Sequence, residues 1–382
     1  MKFLDTSSAR EPGLDLMRAI AILWVMLFHM RLRQLPIFFS GRYGWMGVDL
    51  FFVLSGYLIG SQLLRPYLRN STPSLGGFYF RRAFRVLPAY LAVLLLYFAV
   101  PIFREAPGLS PAWQFLTFTE NFRIDYLHQQ AFSHVWSLCV EEHFYLVLPL
   151  LVLLLMRKPR FGKALSVVLA ILLFGIAVRA WIYLHQLRPL LNANDDSFTL
   201  MYVEKIYYPT YTRLDGLLVG VVLATIKTFR PIWWTRAMAH GHLLLIAAIA
   251  TCSTAMWLFV DRWSFSGTVI GFPLMALGLG LLVASSVSPT SWLSRVRGFG
   301  FIAALAYSLY LTHKEIVHLD HLFLLRYVEA GRWLALLIYF TTSFLAASLL
   351  YLLVERPFLR WREKLSSAIR GPSFKTTARQ HA

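Results

Sequence analysis

Apolar residues fall along this chain in long runs separated by short polar and basic stretches. A run of roughly 20 apolar residues is what a helix needs to cross the bilayer core. Runs approaching that length occur at 14–33, 46–64, 86–103, 136–156, 163–185, 209–227, 241–260, 267–287, 299–319 and 333–355. The pattern predicts an all-α, polytopic integral membrane helical bundle of about ten transmembrane helices. The first run is too long, and too soon interrupted by Arg18, to read as a cleavable signal peptide.

Composition agrees: 58% of the 382 residues are hydrophobic and 15% are charged, against about 25% charged in soluble proteins. The net charge of +18 would raise the question of nucleic acid in a soluble protein, but its distribution answers it. Of the 37 Lys and Arg, 23 fall on one side of the predicted bundle and 12 on the other, with Arg18 and Arg179 inside spans. The positive-inside rule then places both termini in the cytoplasm. This charge reads as topogenic, with membrane lipid as its partner and no nucleic acid. Residues 1–362 form the expected membrane domain, and 363–382 a basic cytoplasmic tail without fixed structure or a second soluble domain. Cys139 and Cys252 offer neither a metal spacing nor a convincing disulfide, and no metal site is expected.

Ionisable groups within spans are costly and usually face a protein interior or a wet cavity. Arg18 and His29 lie eleven residues apart on the first span, close to three turns, so they share a face with roughly 16 Å between them. Either they mark a polar track, or Arg18 snorkels and His29 is a packed neutral ring. Asp49 begins the next span at a depth similar to that of His29. It can fix the histidine tautomer in the manner of a general base and its orienter, or cap its own helix. Ser55 beside Gly56 suits close helix packing, with a hydroxyl nucleophile as the less favoured reading.

Arg82 and Arg85, one turn apart, make a fork suited to phosphates, although basic residues also flank spans for topology alone. Glu141 and Glu142 enter the fourth span from its outer end, pointing about 100° apart. Arg213 and Asp215 open the sixth span and can pair with each other or hold a polar substrate, and His313 lies near the outer end of the ninth. By side, His29, Asp49, Glu141, Glu142, Arg213, Asp215 and His313 are expected in the outer half. Arg18, Arg82, Arg85, Glu355 and Arg356 are expected in the inner half. Such a division suggests chemistry joining two compartments.

Taken together, these motifs resemble the membrane acyltransferase family 3 over nearly the whole chain. The Arg-x10-His signature resembles Arg18 to His29, and Gly-Val-Asp-Leu-Phe-Phe-Val-Leu-Ser-Gly stands unchanged at 47–56. Arg-x-x-Arg resembles Arg82 to Arg85, Trp-Ser-Leu-x-Val-Glu-Glu resembles 136–142, and Tyr-Ser-x-Tyr-Leu-x-His resembles 307–313. Leu16 and Tyr57 depart from the commonest residues without removing a polar group.

The resemblance implies a multi-pass enzyme of the bacterial inner membrane that moves an acyl group, often acetyl, to sugars of lipopolysaccharide, exopolysaccharide, peptidoglycan and related acceptors. Acyl-CoA would be the donor substrate, with no permanently bound cofactor. Arg18, Arg82 and Arg85 would hold its phosphates, and the pantetheine arm would climb the polar track. His29, oriented by Asp49, would act as base or transient acyl carrier, and Glu142, the third catalytic candidate, or Arg213 would hold the acceptor. Glu141, Arg213, Asp215, His313 and Ser55 would hold a glycan or lipid-linked sugar. The family's other architecture adds a periplasmic hydrolase-like domain, so acceptor recognition here is expected from outer loops or a separate periplasmic partner. The alternative is a transporter or flippase for an acylated glycan or lipid, which predicts inverted repeats and broken helices that the sequence does not display.

Overall fold

The computed structural model describes residues 11–30, 43–193, 195–325 and 332–370. Its long elements are helices: α1 (Pro12–His29), α2 (Met46–Leu64), α3 (Leu75–Ala99), α4 (Trp136–Met156), α5 (Phe161–Ile182) and α6 (Asp215–Phe229). They continue with α7 (Pro231–Met238), α8 (Gly241–Leu258), α9 (Phe272–Val287), α10 (Gly300–Asp320), α11 (Arg332–Leu350) and α12 (Arg356–Arg370). The described residues contain one isolated β-bridge, Leu109 with Ala131. The expected all-α polytopic class holds.

Among the described residues, eight helices are long and apolar enough to cross a membrane, and they cover eight of the ten predicted runs. The other two runs differ for physical reasons. The run at 209–227 yields only the 15 residues of α6, because a π turn at Val203–Tyr207 and a 3-10 turn at Thr210–Thr212 occupy the approach. At Pro231, which lacks the N–H that would continue the helix, the chain bends by 109° into α7. The run at 299–319 becomes α10, whose C-terminal part carries His313, Lys314, Glu315 and Asp320. His313, Glu315 and Asp320 are buried against protein, which explains how a helix this polar sits in the bundle.

Two other boundaries moved. Helix α3 begins at Leu75, with Ser74 Oγ accepting from Gly77 N at 3.1 Å, eleven residues before the predicted run at 86. Arg82 and Arg85 therefore ride on a helix inside the bundle instead of flanking it. The π turn Tyr351–Glu355 carries α11 directly into α12, which extends to Arg370, past the expected start of the tail at 363. Residues 371–382 lie outside those described.

Packing centres on α2, which lies against α1, α6, α9 and α4. Gly56 and Gly220 bring α2 and α6 into backbone contact: a Cβ on Gly56 would stand 2.0 Å from Leu217 O, and one on Gly220 2.2 Å from Val53 O. Helix α1 also packs against α10, which places the His29 and His313 segments together. The connection from Arg104 to Val135 folds into the bundle, burying Phe115, Glu120, Asn121 and Phe132. That plug covers the start of α4, with Ser133 through Val140 all buried.

Candidate active site

One cavity of about 1010 Å³ opens at the basic end of the bundle. Arg65, Arg85 and three arginines of α12, Arg356, Arg360 and Arg362, are in its wall, with Arg18 and Arg82 also lining it. The same wall includes Ser55, Glu141, Ser137 and Tyr310. Arg18, Arg82, Arg85, Ser55 and Glu141, selected from widely separated motifs, thus share one space.

Arg18, Arg82 and Arg85 are already engaged by carboxylates. Arg82 Nη2 donates to Glu141 Oε2 and its Nε to Glu142 Oε1, both at 3.1 Å, while its guanidinium lies 3.8 Å from the centre of the Tyr145 ring. Glu141 also accepts from Ser55 Oγ at 3.0 Å and from Tyr145 Oη at 2.7 Å. Arg85 pairs with Glu355 at 2.9 Å, and Glu355 accepts from Ser308 Oγ at 2.8 Å. Arg18 pairs with Asp15 at 2.9 Å. The expected separation of Glu141 and Glu142 from the inner arginines is corrected here. The early start of α3 and the covered start of α4 bring both sets together.

The expected Asp49–His29 pair is also corrected. Asp49 Oδ1 accepts from Arg213 Nη2 at 2.7 Å, and both side chains are buried. The Arg213 guanidinium is boxed by the rings of Phe272 at 4.2 Å, Tyr207 at 4.6 Å and Trp136 at 5.2 Å. Asp215 does not pair with Arg213; it takes a bidentate contact from Arg179, at 2.7 and 3.0 Å. Arginine prefers such bidentate, aromatic-stacked sites because its guanidinium is planar and weakly hydrated. Two buried ion pairs, joining α2 and α5 to the α6 entrance, therefore occupy three residues expected to serve catalysis or substrate.

The partner of His29 is His313. His313 Nε2 lies 3.0 Å from His29 Nδ1, and the ring centroids are 4.9 Å apart. His313 Nδ1 faces the carbonyl oxygens of Leu309 and Tyr310 at 3.0 and 2.9 Å, and His29 Nδ1 faces Val25 O at 2.9 Å. One turn along α10, Tyr310 Oη donates to His134 O, which leaves Ser137 Oγ, 2.6 Å away, to donate to Tyr310. The cavity thus reaches inward to a hydroxyl pair one helical turn from the histidines.

Sequence reasoning passed over several groups. His134 is buried with neither ring nitrogen hydrogen-bonded, its ring 5.3 Å from that of His313. Its only signal in the sequence is its place two residues before Trp136. Lys314 pairs with Glu105 at 2.8 Å, and Tyr97 Oη contacts both Glu105 and Glu315. Burial pushes the Glu105 pKa up, yet the Lys314 ammonium and hydrogen bonds outweigh it and hold the carboxyl below its ordinary value. Glu105 also accepts from the N–H of Phe132, whose φ of 59° is in the left-handed region, so this cluster fixes the turn that leads into α4.

A helical membrane bundle with a basic cavity leading toward paired histidines is the architecture in hand, and its class follows from comparison. A family model described as an acyltransferase domain matches residues 11–352. The chain belongs to that family, the membrane acyltransferase family 3. It is 30% identical over 329 residues to O-acetyltransferase OatA of Staphylococcus aureus (strain NCTC 8325 / PS 47), covering 80% of this chain and 50% of the relative. A protein of Staphylococcus aureus (strain COL), provisionally named an O-acetyltransferase, is 28% identical over 385 residues, covering 92% of this chain and 59% of the relative. The chain therefore spans little more than half the length of these relatives. No solved structure matches it.

Proposed function

We propose that the protein is an O-acyltransferase of the bacterial inner membrane, moving an acyl group, acetyl first among candidates, from cytoplasmic acyl-CoA to a hydroxyl of a cell-surface or exported glycan. The observation that carries this reading is the cavity. Seven arginines line it, a density suited to the phosphates of a nucleotide-linked donor. Its inner wall is made by Ser137 and Tyr310, next to the His29–His313 pair. A donor held by its phosphates at the mouth can extend its thioester arm along this path.

His29 then serves as general base for the acceptor hydroxyl, which approaches from the opposite face, free or lipid-linked. The OatA relative's name supports O-acetyl transfer. Family preference supports a sugar acceptor, delivered directly or by a separate periplasmic partner.

The test is mass spectrometry of surface glycans from cells lacking the protein and complemented with wild type or His29→Ala. Acetyl increments restored by wild type alone support the reading. Restoration by both overturns the role of His29. Increments independent of the protein, with loss of glycan export, would favour a transporter.

A further inference from the structure

Carbonyl oxygens only accept hydrogen bonds, so the contacts of His313 Nδ1 with Leu309 O and Tyr310 O require a proton on that nitrogen. The ring is fully buried, and the rings around it, His29, His134 and Tyr310, carry no negative charge, so the neutral form is the stable one. A neutral imidazole protonated on Nδ1 has its lone pair on Nε2. The 3.0 Å contact then has one direction: His29 Nδ1–H donates to His313 Nε2. The proximity of His29 Nδ1 to Val25 O, at 2.9 Å, demands the same proton. His29 is left with its lone pair on Nε2.

We infer that His313 is the positioning residue of the reaction, orienting His29 through Nδ1–H and presenting its Nε2 as the base. The inference rests on the reading of His29 as base. As the acceptor oxygen attacks the thioester carbonyl carbon, its proton passes to His29 Nε2. The carbon–sulfur bond breaks, the thiolate of CoA takes that proton back, and an ester and a free thiol result. During the charged interval, the imidazolium keeps its Nδ1–H on the His313 lone pair, the service a carboxylate performs in other triads. Asp49 does not take this part, its Oδ1 accepting from Arg213 instead.

Two substitutions separate positioning from packing. His313→Gln ends where the imidazole Nε2 lies and can still accept from His29, whereas His313→Asn ends where Nδ1 lies and falls short. In cells expressing each full-length variant at equal membrane levels, alkali-released acetate from the envelope should drop about tenfold or more with His313→Asn. It should stay within about threefold of wild type with His313→Gln, since a neutral acceptor remains. Equal acetylation by both variants, or equal loss in both, overturns the inference.

A second readout needs no acceptor and no folded variant. In 15N-histidine-labelled wild type in detergent micelles, a scalar coupling across the N–H···N bond should connect a protonated His29 Nδ1 with an unprotonated His313 Nε2. Protonation of His29 on Nε2 instead overturns the inference. Full acetylation by His29→Ala would sink the base reading while leaving this tautomer result intact, so the two failures are distinguishable.

Discussion

Asp49 and Arg213 form a buried ion pair across 164 residues of sequence, 2.7 Å between Oδ1 and Nη2, with aromatic rings enclosing the guanidinium. Asp49 Oδ2 lacks a hydrogen-bond partner, so the pair is joined through a single oxygen in a largely apolar setting. Removing one member of such a pair strands the other charge, which costs about 3–5 kcal/mol. Asp49→Ala and Arg213→Ala should each collapse the yield of monodisperse protein, and Asp49→Asn/Arg213→Gln should recover much of it. Size exclusion in detergent and a double-mutant cycle check this. A stable but inactive Asp49→Ala protein would return Asp49 to a chemical role.

The cavity mouth makes a kinetic prediction. Arg360 and Arg362 line it from α12, apart from the Arg82 and Arg85 ion pairs, and Arg362 meets Glu363 at 3.5 Å. If they meet donor phosphates in ground and transition state alike, Arg360→Gln or Arg362→Gln should raise KM for acetyl-CoA with kcat little changed. Loss of one charge-assisted hydrogen bond, about 1.5–3 kcal/mol, corresponds to a rise of roughly tenfold or more. Added salt should shrink the difference between wild type and variants, because exposed charges are screened within about 10 Å at 0.1 M ionic strength. A fall in kcat at constant KM would place these residues elsewhere in the cycle.

What the chain discloses before folding is uneven, and the reason is separation in sequence. The membrane class follows from run length alone, and Arg18, His29, Glu141 and His313 stand out as polar groups within apolar stretches. Their partners do not. His29 meets His313 across 284 residues and Arg82 meets Glu141 across 59, contacts fixed by α1 lying on α10 and by the depth of α3 and α4. Asp49 looked like the partner of His29 because a hairpin puts them at similar depth. Depth alone ignores which way each side chain faces, and Arg213 lies on the side that Asp49 faces. The plug before α4 was illegible for another reason: Glu105, Phe132 and Lys314 acquire meaning only once the connection folds inward.

Close approach of α2 and α6 gives a steric prediction. An alanine Cβ at 56 would overlap the Leu217 carbonyl oxygen at 2.0 Å, and a backbone atom cannot rotate aside as a side chain can. Gly56→Ala should force the helices apart and cost about 1–3 kcal/mol. The fraction surviving a heat step before size exclusion should fall accordingly. Survival equal to wild type would mean that the two helices are not held at this distance.

Glu120 offers a prediction with a definite sign. Its side chain is fully buried in the plug, and neither carboxyl oxygen has a hydrogen-bond partner. Burial pushes its pKa well above the ordinary 4.5, partly offset by the Lys314 charge. The folded chain therefore keeps a proton that the unfolded chain has released. Its contribution to stability is fully present below about pH 4.5 and declines as pH rises toward the folded-state value. Glu120→Gln carries no such proton and should remove the decline. Thermal unfolding in detergent at pH 5 and pH 8 should show the variant gaining on wild type as pH rises, with each kcal/mol worth about 2–4 °C. A constant difference between the two proteins at both pH values would show that Glu120 is not held protonated in the folded state.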